Sequence, residues 1–428
     1  MISLLTIGSR GDLQPFLALG KGLKDAGYPV RLVTPERYKS FATELGLDFY
    51  GLSADPLALL QSDDGQAWLK SDNNPVSLIT NLIKLGKPTF EKMLVEIEEG
   101  TEGSSLILYS LFGSLSFHLA EKWQIPAVMV HLQPIMGTTS VFPPAGAPVL
   151  NLGIPALTRA YNRFAYKFVE QVMWQPFQRI TQNWRVNHLG LPKERFWGPY
   201  PKLEELVTLH AYSPTVVPPP TDRSSGHKTT GYWFVPTPKD WQPPSDLEQF
   251  LAVGPPPVYI GFGSMVDSDS NKLSDLIVDA VKSSGVRCVL SAGWANLVSA
   301  DLPDSIYLQS GNIPHSWLFE RMAGVVHHGG AGTTSAGLHA GKPSLVIPYF
   351  ADQPYWGSRV YDLGAGPRPI RRKKLTVEKL TAGLRELTTN GEIAQNAAAI
   401  GQAIKQEDGV QQTINLLKPY LKVPVSQL

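Results

Sequence analysis

The sequence predicts an α/β protein of two doubly wound domains, each a parallel sheet with helices on both faces. Three observations carry that expectation. The chain opens on an apolar run, residues 2–7, that ends in the bend "GSRGD" and passes through a helical segment into a second apolar run. The pattern returns at "PVYIGFGSM", an apolar run ending in Gly-x-Gly-Ser ahead of another helical segment. Between them lie residues 214–257, with proline clusters at 218–220, 243–244 and 255–257. Proline removes a backbone donor and fixes φ, which disfavours sustained helix or central strand there. The expected boundaries are 1–217 for a first domain, 218–257 for a proline-rich connection, 258–405 for a second domain and 406–428 for a terminal helix.

Each element has its own signal. Residues 2–7 read as a buried strand and 28–33 as the next. Between them Phe16, Leu19, Leu23 and Ala26 share one helical face, and Gly27 can stop the helix in the left-handed conformation. Such a strand–helix–strand unit favours parallel strands joined by a right-handed crossover. Residues 106–109 and 127–131 are further strands, separated by the helix-like "SFHLAEKW". After a stretch of prolines and small residues, 143–155, comes the aromatic amphipathic segment "YNRFAYKFVEQVMWQPFQRITQNWRVNHLG". Two readings of it stay open. Phe164, Phe168 and Trp174 lie partly in a core, or their outer face lines a pocket for a bulky hydrophobic ligand. In the second half, strands are expected at 287–290, 306–308, 324–327 and 344–347, and a helix at 272–282.

The 428 residues, 43% apolar and 18% charged, suffice for two sizeable cores. A net charge of +1 gives no global pull toward nucleic acid or anionic lipid. The short basic run Arg371-Arg372-Lys373-Lys374 reads as a solvated loop before a helix, with weak attraction to an anionic membrane as its other reading. Cys288 is the single cysteine, so no internal disulfide forms, which fits a reducing compartment; it sits in apolar "VRCVL" as a core residue. No basic region precedes the first apolar run, so it does not read as a secretory leader. No apolar run approaches the ~20 residues that span a bilayer. The expected location is cytoplasmic, with peripheral membrane contact left open.

The richest motif is "VVHHGGAGTTSAGLHAG". A strand ends at His327-His328, and Gly329, Gly330 and Gly332 allow close backbone approach. Thr333 and Thr334 then start a helix whose free N–H groups and dipole favour an anion. With the His328 side chain this makes a diphosphate cradle that needs no metal; the plainer reading is a glycine-rich turn capped by threonine. It is neither a Gly-x-Gly-x-x-Gly fingerprint nor a Walker P-loop. In "PYFADQPYWGSRV", Asp352 and Gln353 can exchange hydrogen bonds with sugar hydroxyls, or Asp352 can cap the next helix. Ser264 can add a hydroxyl to the phosphates. Asp-x-Asp at 267–269 reads as loop and cap, not as a metal site.

These motifs resemble a known family. "IGSRGDLQPFLALGKGLK", "TGYWF", "HHGGAGTTSAGLHAGKP" and "DQPYWGSRV" are similar, in content and order, to the sterol 3-β-glucosyltransferase group of nucleotide-sugar-dependent family-1 glycosyltransferases, related to bacterial glycopeptide glycosyltransferases. The resemblance implies the GT-B fold, two Rossmann-like domains facing each other across a cleft. The N-terminal domain would hold the acceptor and the C-terminal domain the nucleotide sugar, and the terminal helix would cross back to the first domain. It implies His328 at the donor diphosphate beside Gly330, Gly332, Thr333 and Thr334. Asp352 and Gln353 would meet the hexose, and the segment around Ile313 would hold the base. Ala336 stands where plant small-molecule members have a ribose-gripping Glu. Ser9, Arg10, His118, Gln133, Phe142 and Trp294 are acceptor or cleft candidates.

The resemblance also makes Asp12 the general base, which accepts the acceptor hydroxyl's proton as its oxygen attacks the anomeric carbon. By position alone Asp12 is equally a helix cap, and Pro15 near the first turn suits a cap. His118 and His131 are alternative bases. The expected reaction is inverting, metal-independent transfer of glucose from UDP-glucose, a co-substrate, to a sterol or similar apolar alcohol, with no bound cofactor. Alternatives are transfer to a polyketide, carotenoid-like or glycopeptide acceptor, or a non-enzymatic nucleotide-sugar- or lipid-binding module. The partners are small molecules, not nucleic acid, and oligomeric state is open.

Overall fold

The computed structural model describes residues 1–55, 58, 75–238, 240–263, 270–292, 302–311 and 313–421, with only the backbone for 75–85 and 270. It divides into two compact units. The first comprises residues 1–214, 219–235 and 408–428, and the second 215–218 and 236–407.

In the first unit β1 (Ile2–Leu5), β2 (Val30–Pro35), β3 (Asp48–Leu52), β4 (Leu106–Tyr109), β5 (Ala127–His131), β6 (Thr208–His210) and β7 (His227–Thr229) form one sheet in the order β3-β2-β1-β4-β5-β6-β7. Every pairing is parallel. Alternation along these strands fills a core on each face. Leu4, Leu32, Leu108 and Val130 join Phe16, Leu19 and Leu23 of helix Arg10–Asp25. Leu5, Val33, Ile107 and Met129 face Met93 and Ile97 of helix Pro75–Thr101. Burial of both faces explains why these strands read as continuous apolar runs.

The second unit repeats the plan with β8 (Val258–Gly261), β9 (Cys288–Ser291), β10 (Ile306–Gln309), β11 (Gly324–His327) and β12 (Ser344–Val346), all parallel, in the order β10-β9-β8-β11-β12. Cys288 is fully buried in its core. In both sheets the winding reverses between the first strand and its inner neighbour, at β1/β4 and at β8/β11. Ligands of such sheets bind beyond the carboxyl ends of the strands at that switch point.

Three observations refine the expected organisation. Residues 218–257 hold strand β7 and helix Ser245–Ala252, because their prolines flank these elements and do not interrupt them. Residues 408–428 group with the first unit. Helix Gly409–Leu417 lies so close to helix Arg10–Asp25 that a Cβ on Gly22 would fall 2.4 Å from Val410 Cγ1, and Ile414 and Leu417 enter the core there. In helix Pro155–Trp174, Trp174 is buried, but Phe164 and Phe168 are 66% and 59% exposed. The run 371–374 forms an exposed turn before helix Val377–Thr389. No described helix is long and apolar enough to cross a membrane.

Candidate functional site

At the carboxyl end of β1 the chain turns through Gly8, with φ +145°, into helix Arg10–Asp25. Asp12 sits in the first turn of that helix. Its Oδ2 accepts from the Ser9 amide at 2.8 Å and from Ser9 Oγ at 2.9 Å. A Cβ on Gly8 would lie 2.5 Å from this oxygen, so glycine is required both for the φ and for the space. Gln133, just beyond β5, also donates to the carboxylate. Burial nevertheless raises the Asp12 pKa above the ordinary carboxylate value against these donors. The cap and the candidate base are therefore the same group. Ser9 and Gln133 hold the carboxylate in place while the surroundings raise its affinity for a proton.

Around this bend, Arg37 Nη2 donates to the Gly8 carbonyl at 2.8 Å and Tyr38 to the same oxygen at 3.1 Å. Arg37 pairs with Asp55. The Arg10 guanidinium stands 5.3 Å from the centre of the Phe41 ring. Phe142 has the Arg223 guanidinium 5.7 Å from its ring.

The two histidines weighed as bases serve the core. His118 Nδ1 lies 2.8 Å from Nη1 of the fully buried Arg185. Arg185 also donates to both oxygens of Glu121, at 2.7 and 2.8 Å, and pairs with Glu194 at 3.2 Å. Burial and the Arg185 charge push His118 down to about 3. His118, Glu121 and Glu194 have the spacing of a cation site, and the guanidinium already supplies the charge they need. His131 is the last residue of β5, its ring 5.4 Å from that of His210, whose Nε2 is 2.9 Å from His227 Nδ1. Burial pushes His131 to about 3, with the charges of His227 and Arg223 adding to the effect. Nothing in the sequence signalled either cluster, since the partners lie on different elements.

In the second unit the bend after β11 is built around two imidazoles. His327 Nδ1 accepts from the Gly329 amide at 3.0 Å and pins the turn, while its buried Nε2 has no partner among the described residues. Gly329 has φ +90°, and a Cβ there would come within 2.9 Å of the Gln353 carbonyl. The His328 ring passes between two glycines. A Cβ on Gly330 would lie 2.4 Å from its Nε2, and one on Gly263, beyond β8, 3.1 Å from its Cε1. Burial lowers His328 to about 4, so the ring is neutral at ordinary pH, and its buried Nδ1 has no partner among the described residues. Next to it begins helix Ala331–His339, with Gly330 as its cap. Helix geometry leaves the first amides, Gly332 and Thr333 among them, without carbonyls one turn back. Such a cluster of N–H donors at a positive helix end suits a phosphate.

Several of the residues expected at the donor also make contacts within the fold. Thr334 is fully buried and its hydroxyl returns to the Gly330 carbonyl at 2.9 Å. Gln353 is buried, and its Oε1 accepts from the Tyr349 and Phe350 amides at 2.8 and 3.2 Å. It braces a loop in which Ala351 takes φ +55°, a strained value for a residue with a side chain. Asp352 precedes helix Gln353–Asp362 and its Oδ2 accepts from Trp356 Nε1 at 2.9 Å. The reason is common to both: turning the chain from β12 into that helix leaves buried N–H groups that need acceptors. Ile313 buries its side chain with Leu318 and Phe319, leaving its backbone as the part a base can meet. Ser264, Trp294 and Asp267–Asp269 lie outside the described residues.

Residues 2–99 match the glycosyltransferase family 28 N-terminal domain. Residues 285–410 match the erythromycin biosynthesis protein CIII-like C-terminal domain. Sterol 3-beta-glucosyltransferase of Kluyveromyces lactis is 34% identical over 428 aligned positions, covering 97% of this chain and 34% of the relative. The enzyme of that name from Pichia angusta is 35% identical over 97% of this chain and 33% of its own length. The chain is thus similar over nearly its whole length to curated sterol 3-beta-glucosyltransferases, and its first segment matches a glycosyltransferase domain model. It spans about a third of the length of the curated relatives it matches. Among solved structures, the glycosyltransferase of kitacinnamycin superposes with TM-score 0.71 at 17% identity, covering 98% of both chains. SnogD from Streptomyces nogalater gives TM-score 0.66 at 19% identity, over 98% of this chain and 99% of that one. At such identities the likeness is one of fold, and the fold of this chain is GT-B, two Rossmann-like domains.

Proposed function

We propose that the chain transfers glucose from UDP-glucose to the hydroxyl of a sterol or similarly flat apolar alcohol, with inversion at the anomeric carbon. The observation that carries this reading is the Asp12 carboxylate, held at the carboxyl end of β1 and given a raised proton affinity by burial. The name shared by its curated fungal relatives supports the acceptor and the sugar. The first unit binds the acceptor and the second the nucleotide sugar.

Asp12 takes the proton of the acceptor hydroxyl as that oxygen forms a bond to the anomeric carbon. The bond from that carbon to the diphosphate oxygen breaks on the opposite face, and UDP leaves with the electron pair. An alcohol is a far weaker acid than a carboxylic acid, so the proton moves late, once the forming bond has made the hydroxyl acidic. His328 and the first amides of helix Ala331–His339 stabilise the charge that develops on the departing diphosphate. Asp352 and Gln353 shape the sugar-side loop through the contacts they make within it.

The test is UDP release from UDP-glucose over sterols, flavonoids and polyketide alcohols, with the product weighed by mass spectrometry, for wild type, Asp12→Asn and Asp12→Ala. Sterol glucoside formed by wild type and lost in both variants, with UDP binding retained, supports the reading. Transfer only to a different alcohol replaces the acceptor, and full turnover in Asp12→Asn removes Asp12 as base.

A further inference from the structure

We infer that the face of the first unit built by helix Pro155–Trp174 and its flanking loops docks on an anionic lipid bilayer. The partner is a membrane surface, and binding to it needs neither sugar donor nor acceptor.

The first observation is where exposed apolar side chains collect. Of the 16 large hydrophobic residues that the described structure leaves exposed, 11 fall between Val141 and Trp197, and the other five are scattered along the chain. On helix Pro155–Trp174, Leu157, Phe164, Phe168 and Val172 recur at steps of seven and four and so share one face. Phe164 and Phe168 stack with ring centres 6.4 Å apart. A helix that buries Tyr166 and Trp174 on one side and exposes this row on the other is apolar beyond what its own core uses.

The second observation is that two loops extend this face and are fastened to the helix. The loop before it exposes Val149, Leu150, Leu152 and Ile154. Tyr161 of the helix holds that loop by donating to the Pro148 carbonyl at 2.7 Å. The second loop exposes Phe196 and Trp197, whose rings meet edge to face at 5.0 Å. Trp174 Nε1 donates to the Phe196 carbonyl at 2.9 Å and Gln171 Nε2 to the Trp197 carbonyl at 3.0 Å. The three segments therefore present one continuous surface.

The third observation is charge. Between residues 149 and 197 the only acids are Glu170 and Glu194, and both are buried. Glu170 pairs with Lys167 and Glu194 with Arg185 and Lys202. Two exposed cations are answered from neighbouring elements, Arg163 by Asp222 and Lys167 also by Glu204. Arg159, Arg179, Lys193 and Arg195 are exposed and have no ion pair among the described residues. Exposed aromatic and aliphatic side chains in a segment whose unanswered charges are all cations have the composition of a surface that meets an anionic leaflet.

The experiment is co-sedimentation of the full chain with vesicles of phosphatidylcholine alone and of phosphatidylcholine mixed with phosphatidylserine. Binding to the mixed vesicles, weaker at high salt and weaker without phosphatidylserine, is expected. The variant Phe164→Ser/Phe168→Ser/Trp197→Ser should reduce it by roughly tenfold or more. The variant Arg159→Gln/Arg195→Gln should reduce it by about fivefold per charge removed. All five positions are exposed, so circular dichroism and melting temperature should match wild type, and each variant set tests the surface independently of the other. The inference is overturned by absence of vesicle binding, by equal binding with and without phosphatidylserine, or by undiminished binding of both variants. It is also overturned if neither wild type nor the aromatic variant binds vesicles and the substitutions convert a dimer to a monomer, which would assign the face to a second copy. Loss of sugar transfer would leave these outcomes unchanged, so the two readings fail separately.

Discussion

The two units share one winding and use it in opposite ways. In the first, the end of β1 carries a carboxylate, and the glycine beside it makes room for that carboxylate. In the second, Gly263 just beyond β8 leaves the space that receives the His328 imidazole, which follows β11. Burial acts on both, with opposite consequences for charge. It raises the pKa of Asp12 and lowers that of His328. Dry surroundings thus yield a carboxylate of raised proton affinity in the first unit and a neutral hydrogen-bonding ring in the second.

The sharpest way to break this contrast is at Asp12. Asp12→Asn keeps an acceptor for the Ser9 donors and loses the base, so kcat/KM should fall on the order of 10²–10⁴-fold in a UDP-release assay. The same variant should melt higher at neutral pH, by about 2 °C or more. The native state holds the Asp12 proton more tightly than the unfolded chain, so its contribution to stability is present below the ordinary value of 3.8 and lost as pH rises through the raised one. A lower melting temperature for Asp12→Asn at neutral pH would sink the burial argument. Gly329→Ala comes next. Its φ of +90° and the Gln353 backbone both oppose a side chain, so unfolding titrations should show a loss of about 1–3 kcal/mol. His328→Ala should weaken UDP binding roughly tenfold by calorimetry, with little change in melting temperature.

A smaller effect separates structural histidines from the site. His118, His131 and His327 are pushed to about 3 and His227 to about 4. The unfolded chain takes up their protons first, so stability is full above the ordinary histidine value of 6.5 and declines as pH falls toward 4. Melting temperatures measured from pH 7 to pH 4 should show that decline, and His227→Gln should flatten it. The smallest expected effect is that of a chelator. EDTA should leave turnover unchanged, and loss restored by Mn²⁺ or Mg²⁺ would transfer the work of His328 to a metal.

How much of this was legible follows from how local each signal is. Strands β4, β5 and β11 stand where the apolar runs placed them, because burial on both faces needs unbroken runs. Strands β3, β6 and β7 gave no such signal. Thr208–His210 and His227–Thr229 are three residues each and partly polar, and only pairing with a neighbour makes them strands. Asp12 was legible as a cap or a base but not as both, since Gln133 and the burial that raises its pKa come from distant chain. The Gln353 amide invited a sugar-binding reading. That its Oε1 accepts from backbone amides three and four residues earlier was not legible, since only the turn's geometry exposes their need. Arg185, 67 residues from His118, could not have been found from spacing at all.

The helix Gly409–Leu417 completes a core whose other members stand almost wholly before residue 236. Ribosomes deliver residues in order, so Ile414 and Leu417 emerge only after the whole of 236–407. Domains generally finish folding from the N-terminal side as they are made. Here the sequence of completion is inverted. The second unit can close while the first still shows water the stripe that Ile414 and Leu417 will cover, each worth about 1.5–3 kcal/mol once buried. A nascent chain halted near residue 405 would therefore carry a finished second unit and an unfinished first unit. Ile414 and Leu417 seal the unit that holds Asp12.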